Sequence, residues 1–352
     1  MLTVLAPGLV PGRLSRTLDA ILTGRPARVL PRLEGPLHRE RVLFAVALDP
    51  GGVNLECAAL LSFLRTHPGC LEGCVGGVVV DGPGDLYTKA LGRDIVLAAS
   101  LAGCVFPGRP LVEATGGLQN FTVQAKNAGC SPARAYQLAA GDLADRILRF
   151  APPQHRRPHI LVLHASSHAT SNTLALWSRV RAGLEDRCIL TEIGLRNGTL
   201  EDCAGCPYTM CLHFGEQEDC FYGGVMVQEV YPAIRESDAV VLLCPNYNDA
   251  LSANLTAFIN RLTALFRTTR FYDKTLFAII VSGYSGSDLI AGQLITALNM
   301  NKTFYLPGNF CIMETGNSPG SAMKRDGIGD RIQAFADTIL ETMKDGESRK
   351  ER

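Results

Sequence analysis

Five hydroxyl side chains and one amide crowd the loop that follows a short apolar run ending at Leu163. They are Ser166, Ser167, Thr170, Ser171, Thr173 and Asn172. Helical periodicity begins at Asn172, and the free N–H groups of a helix N-terminus favour an anion, while neighbouring hydroxyls add donors that suit a phosphate. Capping by Ser171 or Asn172 alone is the simpler alternative, although a cap needs only one such residue. The loop therefore predicts a phosphate-binding turn.

A second loop, residues 245–252, follows the apolar run that ends at Cys244 and precedes another helical segment. Ligands of open parallel sheets bind at the carboxyl ends of the strands, where this loop and the hydroxyl-rich loop would meet. Tyr247 can pack on a planar aromatic ring, and the amides of Asn246 and Asn248 can bond to its edge. Alternatively, these are ordinary turn residues before an N-cap at Ser252.

A third loop, residues 282–287, follows the next apolar run, and its glycines allow the backbone to approach a ligand closely. A glycine-rich turn without a ligand is the alternative. The GxSxG pattern of serine hydrolases would need glycine where the chain has Ser287. The GxGxxG and GxxxxGK[ST] patterns do not occur in the sequence, which argues against dinucleotide-binding Rossmann and P-loop proteins. The three loops are expected to converge on one site.

Four of the twelve cysteines lie close together with the spacing C-x2-C-x4-C-x8-C: Cys203, Cys206, Cys211 and Cys220. Four thiolates can hold a [4Fe–4S] cluster or a zinc ion, and free thiols that pack as small apolar residues are the alternative. A redox pair of the first two is less favoured because no thioredoxin-like context surrounds it. The other eight lack ligand spacing, and we expect them in the core or in loops: Cys57, Cys70, Cys74, Cys104, Cys130, Cys188, Cys244 and Cys311.

The segments that must position these loops alternate between short apolar runs and helical periodicity, which is typical of a mostly parallel sheet covered by helices. In the C-terminal half the predicted strands are 159–163, 188–193, 239–244, 276–281 and 309–313. The predicted helices are 172–184, 253–266, 286–298 and 329–343. This pattern predicts a flavodoxin-like α/β domain with a doubly wound, parallel, five-stranded sheet over 158–345, followed by a frayed charged tail at 346–352.

The N-terminal half repeats the pattern less completely and predicts a second, smaller α/β domain over 1–150, of unknown role. Its predicted strands are 42–48 and 74–80, its predicted helices are 13–22, 55–66 and 91–101, and 106–116 is predicted to be loop-rich. Residues 42–65 show the same order of strand, loop and helix as residues 159–181, which suggests related units. The segment 150–158 has Pro and charge without periodicity and is the predicted boundary.

Length and composition limit the class of protein. A chain of 352 residues exceeds one compact core, and 47% hydrophobic with 19% charged residues indicates a folded globular protein. Thirty-four Lys and Arg balance 34 Asp and Glu, so no overall field attracts nucleic acid or an anionic membrane. No window has the ~20 uninterrupted apolar residues of a membrane span, and Pro7, Gly8, Pro11 and Gly12 interrupt any signal-peptide core. We expect a soluble, cytoplasmic protein.

Three segments, HASSHATSNT, CPNYNDALSANLTAFINRL and DCAGCPYTMC, together resemble the NADPH-dependent FMN reductase family and its iron–sulfur flavoprotein branch, in the flavodoxin-like superfamily. The resemblance covers about residues 158–345. It implies that the FMN phosphate binds at Ser166, Ser171, Asn172 and Thr173. It implies that the isoalloxazine ring binds at Pro245, Asn246, Tyr247 and Asn248, with Ser282 and Gly283 nearby. In the phosphate loop the chain has Ala165 and His168 where the family usually has Gly and often has Arg.

The resemblance also implies an enzyme that transfers hydride from NAD(P)H to FMN and on to a quinone, a flavin, an aromatic compound or a redox protein. The cofactor carries the reactivity, so no side chain is predicted to be catalytic. One alternative is an electron-transfer iron–sulfur flavoprotein with a cluster on the four cysteines. Another is a flavodoxin-like binding protein that has lost its cofactor. By resemblance alone, we expect a homodimer or homotetramer.

Overall fold

The computed structural model describes residues 1–166 and 170–344, so the tail predicted at 346–352 lies outside the described residues. The chain divides into two compact units. The N-terminal unit comprises Met1–Ala151 and the short segment Leu306–Asn309, and the C-terminal unit comprises the rest of the chain from Pro152. The short segment falls within the predicted C-terminal domain, but its Leu306 exchanges two backbone hydrogen bonds with Phe106 of the N-terminal unit.

Five parallel strands form the sheet of the N-terminal unit, in the order β2-β1-β3-β4-β5. They are β1 (Leu2–Leu5), β2 (Ala27–Leu30), β3 (Arg41–Ala47), β4 (Val75–Asp81) and β5 (Leu111–Ala114). The helices are α1 (Gly12–Leu22), α2 (Leu55–Thr66), α3 (Thr88–Leu101), α4 (Thr122–Ala128) and α5 (Pro132–Arg149). Every residue of β4 is buried, as in a parallel strand that is covered on both faces.

The sequence predicted β3 and β4 but not the other three strands of this unit. β1, β2 and β5 have only four residues each, too few for an apolar run to stand out from its surroundings. The prediction of a loop over 106–116 is wrong for Leu111–Ala114, because these residues pair in parallel with Val78–Asp81.

Five parallel strands also form the sheet of the C-terminal unit, in the order β10-β9-β8-β6-β7. They are β6 (His159–His164), β7 (Ile189–Gly194), β8 (Ala239–Pro245), β9 (Thr275–Ser282) and β10 (Cys311–Thr315). The helices are α6 (Asn172–Ala182), α7 (Tyr208–Glu216), α8 (Tyr231–Glu236), α9 (Ala253–Leu265), α10 (Ser287–Leu294) and α11 (Ile328–Met343). All five strands were predicted within two residues at each end, and the flavodoxin-like fold class is confirmed.

The two sheets have the same strand order when the strands of each unit are counted from its own first strand. By this order β6 corresponds to β1, and β8 corresponds to β3. The sequence comparison instead matched β3 and α2 with β6 and α6. The predicted order of strand, loop and helix is present in both stretches, although β3 is the third strand of its unit and β6 the first, because β1 was not recognised.

The apolar core of the C-terminal unit lies between one face of its sheet and the helices α6 and α11. Trp177 of α6 is buried in this core and donates from its indole N–H to Glu192 of β7 at 3.0 Å. This packing fixes the start of α6 at the carboxyl edge of the sheet. None of the described helices has both the length and the hydropathy that a bilayer crossing demands.

Two glycines of the N-terminal unit test its packing. A Cβ on Gly77 of β4 would lie 2.5 Å from the Cδ1 of Ile147, whereas a Cβ on Gly141 of α5 would meet no atom within 4 Å. We expect Gly77→Val to lower the free energy of unfolding by about 2 kcal/mol through overpacking. Gly141→Ala should raise it by about 0.5–1 kcal/mol, because Ala loses less backbone entropy in a helix. Urea unfolding of both variants measures the difference, and equal effects would contradict the packing described.

Candidate functional site

The carboxyl ends of β6, β8 and β9 lie side by side at one edge of the C-terminal sheet. The strands pair in parallel, with His164 opposite Leu243 and Cys244 opposite Ile280. The chain leaves β6 toward β7 on one side and reaches β8 on the other, which makes this edge the switch point in strand order. The three loops singled out in the sequence therefore start from adjacent strands at one edge.

The hydroxyl-rich loop ends in an N-cap on α6. The Oγ of Ser171 accepts from the N–H of Leu174 at 3.4 Å and lies 2.9 Å from the Oγ1 of Thr173, which is buried. The prediction that Ser171 caps α6 is thus confirmed. The other N–H groups of the first turn have no acceptor within the helix, so they need a partner from outside it. Ser166 is half-buried and its carbonyl accepts from His164, whereas His168 lies outside the described residues.

The side chain of Asn172 holds a neighbouring loop. Its Nδ2 donates to the carbonyls of Gly316 at 3.0 Å and Ser318 at 2.9 Å, and its Oδ1 accepts from the N–H of Ala322 at 3.3 Å. These three bonds use both ends of the amide. The structure therefore gives Asn172 the role of tethering residues 316–322 beside the phosphate loop.

Asn246 connects the second and third loops. Its Nδ2 donates to the Oγ of Ser282 at 3.1 Å and to the carbonyl of Ser285 at 3.2 Å, across the edge of the sheet. Ser282 is buried and its Oγ also lies 2.8 Å from the Oγ of Ser287. The Oδ1 of Asn246 is buried without a hydrogen-bond partner among the residues that the structure describes. The site thus presents one unused acceptor between two loops.

A tight turn gives the second loop its shape. Tyr247 and Ala250 exchange two backbone hydrogen bonds, and Asn248 and Asp249 between them have φ of 55° and 59°. Two successive positive φ values are typical of a type I′ turn, which Asn and Asp tolerate. The turn places Asn248 at its tip and leaves the Tyr247 ring 57% exposed, with Pro245 behind it at the end of β8.

The third loop packs closely against both of its neighbours. Gly286 has a φ of +87°, and a Cβ there would lie 2.3 Å from the Oδ1 of Asp249, so only glycine fits. A Cβ on Gly283 would lie 3.2 Å from the Oδ1 of Asn317, whose Nδ2 donates to the hydroxyl of Tyr284 at 2.8 Å. The sequence analysis missed Asn317. The turn-forming run Gly-Asn-Ser-Pro-Gly, which follows the last strand, could have indicated a fourth loop at this edge of the sheet.

The same edge of the N-terminal unit is filled by its own side chains. The guanidinium of Arg13, at the start of α1, pairs with the carboxylate of Asp81 at 2.7 Å and donates to the carbonyl of Gly116 at 2.6 Å. Arg13 also donates to the carbonyls of Gly82 and Thr115. Arg13 thus occupies the place that corresponds to the three loops of the C-terminal unit.

The four cysteines of the predicted metal site line one cavity in the C-terminal unit. Cys203 is exposed and the other three are partly buried. Within residues 1–166 and 170–344, no group of three or more His, Cys, Asp or Glu side chains is placed to hold a metal ion. The metal prediction therefore has no support from the geometry. Seven of the other eight cysteines are buried and Cys130 is partly buried, in agreement with core or loop positions.

A family comparison identifies the C-terminal unit. Residues 158–318, just under half of the chain, match the NADPH-dependent FMN reductase family. The match confirms the resemblance to the FMN reductase family, and with it the class of NAD(P)H-dependent, flavin-using oxidoreductases, but not the iron–sulfur branch. No curated protein matches the chain.

Several solved structures are similar over about half of the chain. An NAD(P)H:quinone oxidoreductase from Methanothermobacter marburgensis is 14% identical with a TM-score of 0.41, over 52% of this chain and 100% of that one. An apo NADH:FMN oxidoreductase is 16% identical with a TM-score of 0.37, over 54% and 92%. An azoreductase from Bacillus anthracis is 13% identical with a TM-score of 0.36, over 51% and 95%. The fold assignment itself rests on the strand order.

His164 makes stability depend on pH. Its Nδ1 lies 3.0 Å from the carbonyl of Ser166 and so carries the proton, and burial lowers the pKa of His164 below its ordinary value of 6.5 although that bond acts in the opposite direction. The unfolded chain therefore binds the proton more readily, so this contribution is full above pH 6.5 and is lost as pH falls through the lower folded pKa. His164→Asn should flatten the fall in unfolding free energy below pH 6.5. Chemical unfolding at successive pH values measures it, and identical slopes would contradict the assignment.

Proposed function

Because residues 158–318 match the NADPH-dependent FMN reductase family, we propose that this protein transfers hydride from NAD(P)H to FMN bound at the carboxyl edge of its C-terminal sheet. The electrons then pass to a quinone, a flavin, an aromatic compound or a redox protein. The observation that carries this proposal is the unpartnered, buried Oδ1 of Asn246 between two loops of the predicted site. A buried acceptor without a donor costs about 1–3 kcal/mol, so a ligand N–H is its natural partner.

The residues at this edge fit FMN. The first turn of α6 offers N–H donors for the phosphate, and Ser166, at the start of the same loop, offers a hydroxyl donor. The Oδ1 of Asn246 offers an acceptor for the edge of the ring, and the exposed Tyr247 offers an aromatic surface. When bound, FMN supplies the hydride-accepting chemistry.

The protein's own part in this reaction is binding and orientation. Asn246 fixes the second loop against the third through Ser282 and Ser285, and Asn172 fixes the 316–322 loop against the phosphate loop. The hydrogen bonds of Asn246 and Asn172 thus hold the loops around the proposed ligand in fixed positions relative to one another. Hydride transfer between stacked rings needs no side-chain acid or base, so no catalytic side chain is assigned. Assembly as a homodimer or homotetramer belongs to the same proposal.

Two other functions are distinguished by simple measurements. An iron–sulfur flavoprotein would contain iron and acid-labile sulfide in stoichiometric amounts after anaerobic purification. A non-catalytic binding protein would bind no FMN even at excess. Neither has a specific observation in its favour, because the described cysteines form no preassembled ligand group and the second and third loops are joined through Asn246 and Ser282.

Flavin titration of the full-length protein tests the proposal. We expect FMN to bind at least about tenfold more tightly than riboflavin, since only FMN presents a charged phosphate to the α6 N-terminus. FMN-loaded protein should then oxidise NADPH with an added quinone. Binding of neither flavin would contradict the proposal, and so would a flavin complex that NADPH does not reduce.

Asn246→Ala tests the individual acceptor. The substitution removes both the tether between the loops and the unpartnered Oδ1, so the Kd for FMN should rise by about tenfold or more. The matched control is Asn301→Ala, because Asn301 is an exposed residue whose Nδ2 donates to the carbonyl of Thr296, in a segment after α10. Fluorescence quenching of FMN measures both values. Equal FMN affinity in Asn246→Ala and wild type would show that Asn246 does not contribute to FMN binding.

A further inference from the structure

A cavity of the C-terminal unit, open to solvent and about 190 Å³ in volume, lies where α7 packs on α9. We call it the cysteine cavity, because Cys203, Cys206, Cys211 and Cys220 line it. The two helices approach closely at Gly215, where a Cβ would lie 2.6 Å from the carbonyl oxygen of Ala264. The volume lies below the about 300–1,000 Å³ of pockets that hold drug-sized ligands, so a ligand of this cavity is limited to a small ring system.

A buried cation faces this cavity without an anionic partner. Arg261 of α9 lines the cavity and is only 2% exposed. Its Nη2 donates to the carbonyl of Gly223 at 2.7 Å, but its Nε is buried with no hydrogen-bond partner among the described residues. A buried guanidinium is costly unless an anion and further hydrogen bonds compensate it. An anion in the cavity would therefore supply the counter-charge and the hydrogen-bond acceptor that Arg261 lacks among the described residues.

A second guanidinium lines the same cavity. Arg267 lies with its Cζ 4.6 Å from the ring centre of Tyr208, and its Nε is also buried without a hydrogen-bond partner among the described residues. Of the acidic residues next to the cysteines in sequence, Asp219 accepts from the N–H of Cys220. Asp202 accepts from the N–H of Cys203 and from the Nδ2 of Asn260, which lines the cavity. Within the described residues, no ion pair joins either arginine to a carboxylate. An anionic ligand in the cavity would therefore pair with both guanidinium groups.

The remaining walls indicate what kind of anion fits. Phe214 and Phe221 meet edge to face at 5.7 Å, Tyr222 stacks at right angles on Phe221, and Met210 adds an apolar surface. Aromatic edges and apolar side chains contact flat apolar rings, so these walls favour an anion that carries a ring over inorganic phosphate, which would leave them uncovered. Since no group of three metal ligands is preassembled among the described residues, a bound metal is the weaker explanation of these features.

We propose that the cysteine cavity binds an aromatic carboxylate, with the ring against Phe214 and Phe221 and the carboxylate on Arg261 and Arg267. Arginine suits this role because its planar donors match the two oxygens of a carboxylate. The inference uses only the contacts of this cavity. It does not depend on flavin binding at the edge of the sheet.

Calorimetric titration of the full-length protein with 2-naphthoate tests the proposal, and methyl 2-naphthoate is the uncharged comparison ligand. We expect one site per chain. Arg267→Gln should weaken 2-naphthoate by about tenfold or more and leave the ester unchanged, because it removes a charged donor from a partly buried position. Arg270→Gln is the matched control, since Arg270 lies in the same segment but packs over Phe266 outside the cavity. A thermal melt of each variant checks that it is folded.

Three results would overturn the proposal. The first is no binding of 2-naphthoate to wild-type protein. The second is equal binding to wild type and Arg267→Gln, which would place the ligand elsewhere. The third is stoichiometric zinc or iron in the purified protein with the four thiols protected from alkylation, which would assign the two arginines to a metal–thiolate centre. If FMN fails to bind but 2-naphthoate binds as expected, the proposed function fails and this inference stands.

Discussion

Parallel pairing of β6, β8 and β9 is the constraint on which the C-terminal unit depends. Because parallel strands all end at the same edge, their three following loops start within a few ångströms of one another, and α6 presents its N-terminus there. Almost all of the apolar residues of these strands are buried, so the fold cannot easily shift this edge to suit a ligand. A ligand that fits the edge consequently meets a preorganised surface.

The two units show that strand order alone does not make a ligand site. Both have the same order of parallel strands, yet Arg13 and Asp81 fill the edge of the N-terminal sheet, while the C-terminal edge carries small polar residues and glycines. The difference lies in the side chains. The guanidinium of Arg13 has its hydrogen-bond partners within the N-terminal unit, whereas the buried Oδ1 of Asn246 has no partner among the described residues. Among the described residues, the unused buried polar atoms of Asn246 and Arg261 lie at two places where an external partner would lower the free energy.

Much of this arrangement could be predicted from the sequence because its signals are local. The long apolar runs of β8 and β9 and the loops that follow them are contiguous in the chain. The tethering role of Asn172 could not be predicted, since its partners Gly316 and Ser318 lie 144 and 146 residues away. The short strand β1 left no clear local pattern, so the sequence placed β3 beside β6 although β3 is the third strand of its unit. The unpartnered Nε of Arg261 depends on how α7 and α9 pack, which no spacing in the sequence reveals.

The most direct test of the central claim is anaerobic reduction of the FMN-loaded protein by an excess of NADPH, monitored through the absorbance of the oxidised flavin. The account predicts loss of that absorbance with one flavin reduced per chain, because it proposes one flavin site, at the edge of the C-terminal sheet. Unchanged absorbance, or two flavins reduced per chain, would contradict it.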